Sequence, residues 1–522
     1  MILMVASGLF LAACATTATP AEQGVVTEQV EPTTGAKNVI LMVSDGIGFN
    51  GWLAADYYQG LAGQQSYQVT RPDGTQPVIF GMSHDALNLL DASGDLITDP
   101  ADIATAVSAI EQGYDPIERW DTFEGAFAND FDPLRAPYSS YTDSAAAGTA
   151  LMSGRKTSNG RLNVDWSGEQ SFQTIAELAM DQGRSAGAVS SVMAAHATPA
   201  AVISHNVSRN NYAEIFNEMV ASELDVIMGG GHPFYDASGT YAEPEAAAAY
   251  RYVGGEDTLA ALTSDAGLNG YTFIDSKDDF EALAAGDVQT ARVVGIARTN
   301  STLQAAREDL PAADTPSGMA YNDQVPDLAT MSIGALTVLS QDEDGLFLMI
   351  EGGAVDWMGH GNNMPRYIEE QIDFNASVAA VIDWIETNSS WDETLLIITA
   401  DHECGGIWGE GTWTNSEGGP VAADRSGAAI STARFDPSED TFNAFLAVQD
   451  RGAGNMPGYQ FASGNHTNEL VPLWAIGKGS EDFAGFTQMD LNAQGLWGEP
   501  YSWDGRFVDN TDVFAVMRDA LR

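Results

Sequence analysis

A chain of 522 residues with 22 Lys and Arg against 73 Asp and Glu carries a formal net charge of −51, which repels nucleic acid and anionic membrane surfaces and excludes both as stable partners. Its 44% hydrophobic residues and mean hydropathy of −0.12 are those of a folded globular protein, long enough for one large α/β domain or two to three average ones. Two cysteines, Cys14 and Cys404, are too few for a disulfide framework.

In chain order the first element is the apolar run Ile2–Ala13, shorter than the roughly 20 residues of a membrane-spanning helix but suited to a signal-peptide core. It ends in Leu11, Ala12, Ala13 and Cys14, similar to the lipobox of bacterial lipoproteins, in which the cysteine takes the lipid; a simple cleaved signal is the alternative. Residues 15–36, rich in Thr, Ala, Glu and Pro, then read as a flexible tether, and a single catalytic domain is expected over 37–522.

Val39–Val43 is the first continuous apolar run, and Asp45 follows it. Residues from about 49 to 138, rich in Asp, Gly and aromatics, read as an inserted lobe, with a smaller insert at about 407–460. Thr142 and Asp143 then precede Ser144 and a run of helix formers to Ala150; Asp143 suits an N-cap, which puts Ser144 in the first turn, where backbone N–H groups and the helix dipole favour an anion. The plain alternative is a capped helix without chemistry. Apolar periodicity predicts helices over Thr174–Gln182, Asp327–Leu339 and Tyr367–Glu386. Two more apolar runs, Leu346–Ile350 and Leu395–Ile398, lead into Glu351 and Asp401. The alternation predicts an α/β fold with a mainly parallel central sheet and helices on both faces. Ligands gather at the carboxyl ends of such strands, so Asp45, Glu351 and Asp401 are expected to converge although hundreds of residues part them.

Other chemistry-bearing groups are short. Asp356 and His360 stand four apart, so one helical turn aims both at a common point. Asp401 and His402 are adjacent, and His466 sits in Gly464–Thr467, where a surface histidine would be the ordinary reading. His196 precedes Thr198, and Arg209 follows eleven residues later; in a chain poor in cations, an arginine there can clamp two phosphate oxygens or simply balance surface acids. Together these residues supply nitrogen and oxygen ligands for two zinc ions and a harder cation.

These motifs, in this order and with the glycine-rich Asp225–His232, resemble the alkaline phosphatase family from Lys37 to about Lys478. The resemblance implies that family's sandwich fold and metal-dependent hydrolysis of small phosphate monoesters through a phosphoserine at Ser144. It also implies that Asp356, His360 and His466 hold one Zn2+, that Asp45, Asp401 and His402 hold another, and that Asp45 bridges to a Mg2+ completed by Thr198 and Glu351. Arg209 is expected on the phosphoryl oxygens, with His196 and Trp357 standing just behind the ligands. Cys404 reads as a small buried filler beside Asp401 and His402. A homodimer, in the periplasm or anchored through Cys14 to the outer membrane, or secreted, is the expected setting. Two rival readings are a phosphodiesterase of the same superfamily and a non-catalytic lipoprotein that binds cations or phosphate.

Overall fold

Uninterrupted Val, Ile, Leu and Met runs can stand in a sheet only where both faces are covered, and three such runs form its centre: β1 (Asn38–Ser44), β7 (Leu346–Gly352) and β8 (Thr394–Thr399) are buried along their whole length. The computed structural model describes residues 35–87, 89, 97–112, 114, 141–244, 246–415 and 440–522. The leader, residues 15–34 of the tether, 88, 90–96, 113 and 115–138 of the first insert and 416–439 of the second lie outside the described residues. Among the described residues no helix is long and apolar enough to cross a membrane.

Eight further strands join the sheet: β2 (Val78–Ser83), β3 (Ser185–Met193), β4 (Val226–Gly230), β5 (Thr272–Ile274), β6 (Val293–Ile296), β9 (Val471–Gly477), β10 (Gln488–Met489) and β11 (Arg506–Asp509). The spatial order across the 11 strands is β10-β11-β2-β9-β8-β1-β7-β3-β4-β6-β5. From β8 to β5 every pairing is parallel, and only β9 and β10 run against the rest. The expected mainly parallel sheet is therefore what the chain builds.

Register then decides what meets at the carboxyl edge. Val43 pairs with both Glu351 and Thr399, and Glu351 pairs on its other side with Ser190, so β8, β1 and β7 end within one residue of one another while β3 runs on past Ser190 to Met193. Residues just beyond those three ends share one volume.

Helices α1 (Phe49–Gln59), α2 (Ser144–Ser153), α3 (Leu328–Leu339), α4 (Ala354–His360) and α5 (Met364–Asn388) matter most to the site. Predicted helices recur where caps define them. Thr174 closes a capping box ahead of Ile175–Met180, and Asp327 accepts from Thr330 N at 2.7 Å ahead of α3. Helix α5 starts three residues earlier than its periodicity indicates, because Asn363 caps it, and it buries Phe374, Val378, Val381, Ile382 and Ile385. Each such side chain contributes about 1.5–3 kcal/mol on leaving water.

Part of the stretch read as an inserted lobe belongs to the core. Helix α1 is buried from Phe49 to Asp56, and β2 lies between β11 and β9 in the central sheet. The Val-Ile-Phe run of β2 is only three residues long and sits after Asp, Gly and Pro, so turn composition masked the strand. At the other end of the tether, Ala36 is buried and its N–H donates to Ala520 O at 2.5 Å, tying the chain into the core two residues before β1.

Candidate functional site

The ends of β1, β7 and β8 deliver the acids. β1 hands over to Asp45 and then Gly46, whose φ of +75° and close approach both demand glycine: a Cβ there would lie 2.5 Å from Asp356 Cα. β7 carries Glu351 and turns through Gly353 into α4, which brings Asp356 and His360 to one side. β8 leads to Asp401 and His402, with Asp401 Oδ1 accepting from Gly46 N at 3.1 Å and His402 N at 2.9 Å. His466 arrives on a short antiparallel pair, His466 opposite Cys404 and Thr467 opposite Glu403.

Asp356, His360 and His466 form the first group. His466 Nε2 lies 3.2 Å from Asp356 Oδ1, His360 Nε2 lies 3.4 Å from Asp356 Oδ2, and the two Nε2 atoms are 3.1 Å apart. His466 Nδ1 donates to Thr142 O and His360 Nδ1 to Gly464 O, both at 2.7 Å. Because a carbonyl only accepts, each ring is protonated at Nδ1, and two Nε2 lone pairs face each other and a carboxylate. A cation between them removes that repulsion, and fixing the tautomer from behind is how metal-binding imidazoles are held.

Asp45, Asp401 and His402 form the second group, with His402 Nε2 at 3.1 Å from Asp401 Oδ2 and 3.5 Å from Asp45 Oδ1. Ser144 Oγ is 3.3 Å from the same Nε2. The rings of His402 and His466 stack at 3.6 Å, so the two groups share a wall. Ligand atoms of Asp45, Asp356 and His402 also lie within 4.8 Å of one another, which puts Asp356 between the groups. Beyond Asp45, Glu351 accepts from Ser190 Oγ, and Thr198 follows β3 in the helical turn Ala197–Ala200. His196 is buried between the rings of Tyr212 (6.4 Å) and Trp357 (5.8 Å).

All ten predicted catalytic and ligand residues, with His196 and Trp357 beside them, thus come to one edge of the sheet. Arg209 reaches it through Asp143: its Nη1 donates to Asp143 Oδ2 at 3.0 Å, while Asp143 Oδ1 caps α2 by accepting from Ala146 N at 2.9 Å. One carboxylate fixes both the helix that carries Ser144 and the guanidinium beside it.

Glu403 is a member that sequence reading missed. Its carboxylate is buried and accepts from Gly406 N and Ile407 N, both at 3.2 Å, and from Thr467 Oγ1 at 2.6 Å, so it clamps the turns next to His402 and His466 together. An acid one residue ahead of the pair Gly405 and Gly406 was its only signal.

Both oxygens of Asp45, Oε1 of Glu351, Oδ1 of Asp356 and Oδ2 of Asp401 are buried without a hydrogen-bond partner. Leaving such charges uncompensated costs several kcal/mol each, and this donor set fits divalent cations. Burial, then the charges of Asp401, Asp356 and Glu351, raises the Asp45 carboxyl well above its usual range. Burial likewise pushes Glu351 up to about 7 against the hydrogen bond from Ser190. For Asp356 and Asp401, burial is outweighed by the histidines beside them, and both lie below the usual range.

A pH dependence follows for the chelated protein. Groups raised on folding hold protons that the unfolded chain has released, so their stabilisation is complete below about 4.5 and is lost as pH rises through about 7. Asp356 and Asp401, being lowered, weaken the fold only on acidification below the usual carboxylate range. With chelator, the Tm is expected to fall between about pH 6.5 and about pH 8, above the range in which the lowered His84, His196 and His402 act with the opposite sign, and saturating divalent cation, taking the place of the protons, to flatten that slope. Thermal unfolding at several pH values checks this; a chelated protein whose Tm rises over that window contradicts it.

Comparison with known proteins points to one family. The family model described as alkaline phosphatase matches residues 134–495. Alkaline phosphatase 4 of Bacillus subtilis is 28% identical over 383 residues, covering 66% of this chain and 73% of that protein. Alkaline phosphatase of Escherichia coli is 31% identical over 285 residues, covering 50% and 58%. Among solved structures, that of alkaline phosphatase from the Antarctic bacterium TAB5 superposes with a TM-score of 0.56 at 21% identity, covering 94% of this chain and 99% of the other. The Thermus thermophilus alkaline phosphatase gives 0.56 at 18% identity, over 97% and 96%.

Proposed function

From the premise that this chain belongs to the alkaline phosphatase family and is a metal-dependent phosphomonoesterase, we propose that Ser144 is its nucleophile and that the reaction passes through a phosphoserine. The observation that carries this is the seat of Ser144: 2% exposed, in the first turn of a capped helix, with Oγ 3.3 Å from His402 Nε2 and beside buried carboxylate oxygens that accept no hydrogen bond.

Cations bound by these residues supply Lewis acidity, which lowers the pKa of a hydroxyl and offsets charge on phosphoryl oxygens. The chain's own residues do the rest. Ser144 Oγ attacks phosphorus in line, the Oγ–P bond forms, and the ester oxygen leaves on the opposite side to become the product alcohol. Water then attacks the phosphoserine from the vacated side, releasing inorganic phosphate and restoring Ser144. Arg209 and the N-terminus of α2 bind the non-bridging oxygens in both halves, and Asp143 holds these two donors in register.

Arg209→Ala is expected to raise KM for a monoester and the inhibition constant of phosphate by about 10–100-fold, since a charged hydrogen-bonding donor is worth roughly 1.5–3 kcal/mol. The fall in kcat is expected to be smaller, and steady-state kinetics with phosphate as inhibitor measure both. Acid quench of a monoester turnover followed by peptide mapping tests the intermediate: phosphate on Ser144 is expected, and phosphate on another residue overturns the assignment.

In the same reading Asp356, His360 and His466 hold one Zn2+, Asp45, Asp401 and His402 a second, and Asp45, Thr198 and Glu351 a Mg2+, with His196 and Trp357 behind them. Residues 1–14 are a lipoprotein-type signal, the residues from 15 to about 34 a tether from lipidated Cys14 into the periplasm, and the catalytic unit pairs as a homodimer. Metal analysis, mass spectrometry of the mature N-terminus and sedimentation test these separately. Comparing rates on a nitrophenyl monoester and its diester defines the substrate class.

A further inference from the structure

We propose that the sulfur of Cys404 is a soft donor to the cation held by Asp356, His360 and His466, so that this one site selects thiophilic ions such as Zn2+ or Cd2+ over hard ones such as Mg2+. The inference rests on the placement of a cation among those three residues argued above. It adds a ligand, and with it a metal preference, that nothing in the reaction requires.

The geometry begins with the backbone. Cys404 pairs directly with His466, and its own N–H donates to Gly46 O at 3.1 Å, so the residue is pinned to two of the segments that build the site. Its side chain is fully buried and forms no disulfide. Room for the sulfur exists because Gly359, one residue before His360, has no side chain: a Cβ there would lie 3.0 Å from Cys404 Cβ and 3.1 Å from Sγ. The turn of α4 that carries Asp356 and His360 therefore rests on this thiol.

From that seat Sγ, a carboxylate oxygen of Asp356 and one ring nitrogen each from His360 and His466 lie within 4.8 Å of one another. Bond lengths of about 2.3 Å for Zn–S and about 2.0–2.1 Å for Zn–N put tetrahedral partners about 3.3–3.6 Å apart. The N···O and N···N separations of 3.1–3.4 Å already approach this, and the sulfur lies within 4.8 Å of the same atoms. A second sign points the same way. Asp356 Oδ1 is buried in the same volume with His466 Nε2 at 3.2 Å, and because that ring carries its proton on Nδ1 neither atom donates to the other, which leaves both aimed at an ion.

Chemistry then sets the preference. Thiolate favours Zn2+ and Cd2+, whereas Mg2+ prefers oxygen ligands and keeps its waters. On binding, the thiol proton passes to solvent and the S–metal bond replaces S–H. Zinc can expand to five ligands, so a sulfur donor leaves a position for a substrate oxygen. A purely space-filling Cys404 would make none of these differences, because serine would fill the seat almost as well.

The test uses the full chain with Cys14→Ser, which leaves Cys404 as its single cysteine. Cd2+ alone is the probe, read by thiolate-to-cadmium charge-transfer absorption in the ultraviolet and by elemental analysis of bound cadmium. The charge-transfer band is expected to saturate as this site fills. In Cys404→Ser it is expected to vanish while affinity for Cd2+ at this site weakens about 10–100-fold, the range for losing a partner at a metal site. Circular dichroism of Cys404→Ser controls for folding, and Cys404→Ala provides a second thiol-free variant. Stoichiometric Cd2+ without the band, combined with loss of that Cd2+ in His466→Ala, overturns the sulfur ligand and leaves the cation site standing. Cadmium binding that His466→Ala does not reduce overturns the cation placement itself.

Discussion

Ser144→Ala will lower kcat on a chromogenic phosphate monoester by about 1,000-fold or more while fold and metal content stay unchanged, as loss of a nucleophile does in other covalent hydrolases. Position 144 explains why the loss would be chemical. Alanine is the best helix former, and the cap from Asp143 Oδ1 to Ala146 N does not involve the serine side chain. Its one hydrogen-bond contact, 3.3 Å to His402 Nε2, is long, and Arg209 stays paired with Asp143. Substrate should therefore still bind, with KM little changed. Steady-state rates, bound metal and the Tm of the variant decide the matter; activity within tenfold of the parent would remove Ser144 from the nucleophile's role.

His466→Ala should be nearly as damaging, by a different route. The ring contributes Nε2 to the first group, donates from Nδ1 to Thr142 O, and stacks on His402 at 3.6 Å. Removing it takes a ligand from one cation site and a wall from the other. It also frees the buried carbonyl two residues before Ser144, at a cost of about 1–3 kcal/mol. The expected outcome is loss of one bound ion per chain and a fall in kcat/KM of about 1,000-fold, since a cation supplies several kcal/mol to the transition state. Excess Zn2+ should restore part of the activity by mass action. Elemental analysis beside the assay checks it, and a variant that keeps its full metal complement and rate would show that His466 is no ligand.

Neither prediction needed the structure to name its residue, and both needed it to say what else would break. Ser144 was legible because an N-cap and a run of helix formers are local signals. Asp45, Glu351 and Asp401 were legible because each follows a run apolar enough to declare itself a buried strand. Strand β2 was not, since three apolar residues amid turn formers give no period to read. Glu403 carried no signal beyond its neighbours, because its role is to accept from Thr467, 64 residues away. The pairing of Arg209 with Asp143 spans 66 residues and was equally hidden, although both residues had been singled out for other reasons.

By itself the sequence determined the fold class, the strand ends at which acids emerge and the residue types available for metal and phosphate chemistry. Those follow from periodicity, caps and composition, which act over a few residues. The tertiary structure alone decided that β8, β1 and β7 end within one residue of one another, that two imidazoles face each other at 3.1 Å, and that the sulfur of Cys404 lies within 4.8 Å of ligand atoms of Asp356, His360 and His466. Such facts depend on register and on close approach at glycines such as Gly46 and Gly359, and those are set by packing between segments that no local pattern connects.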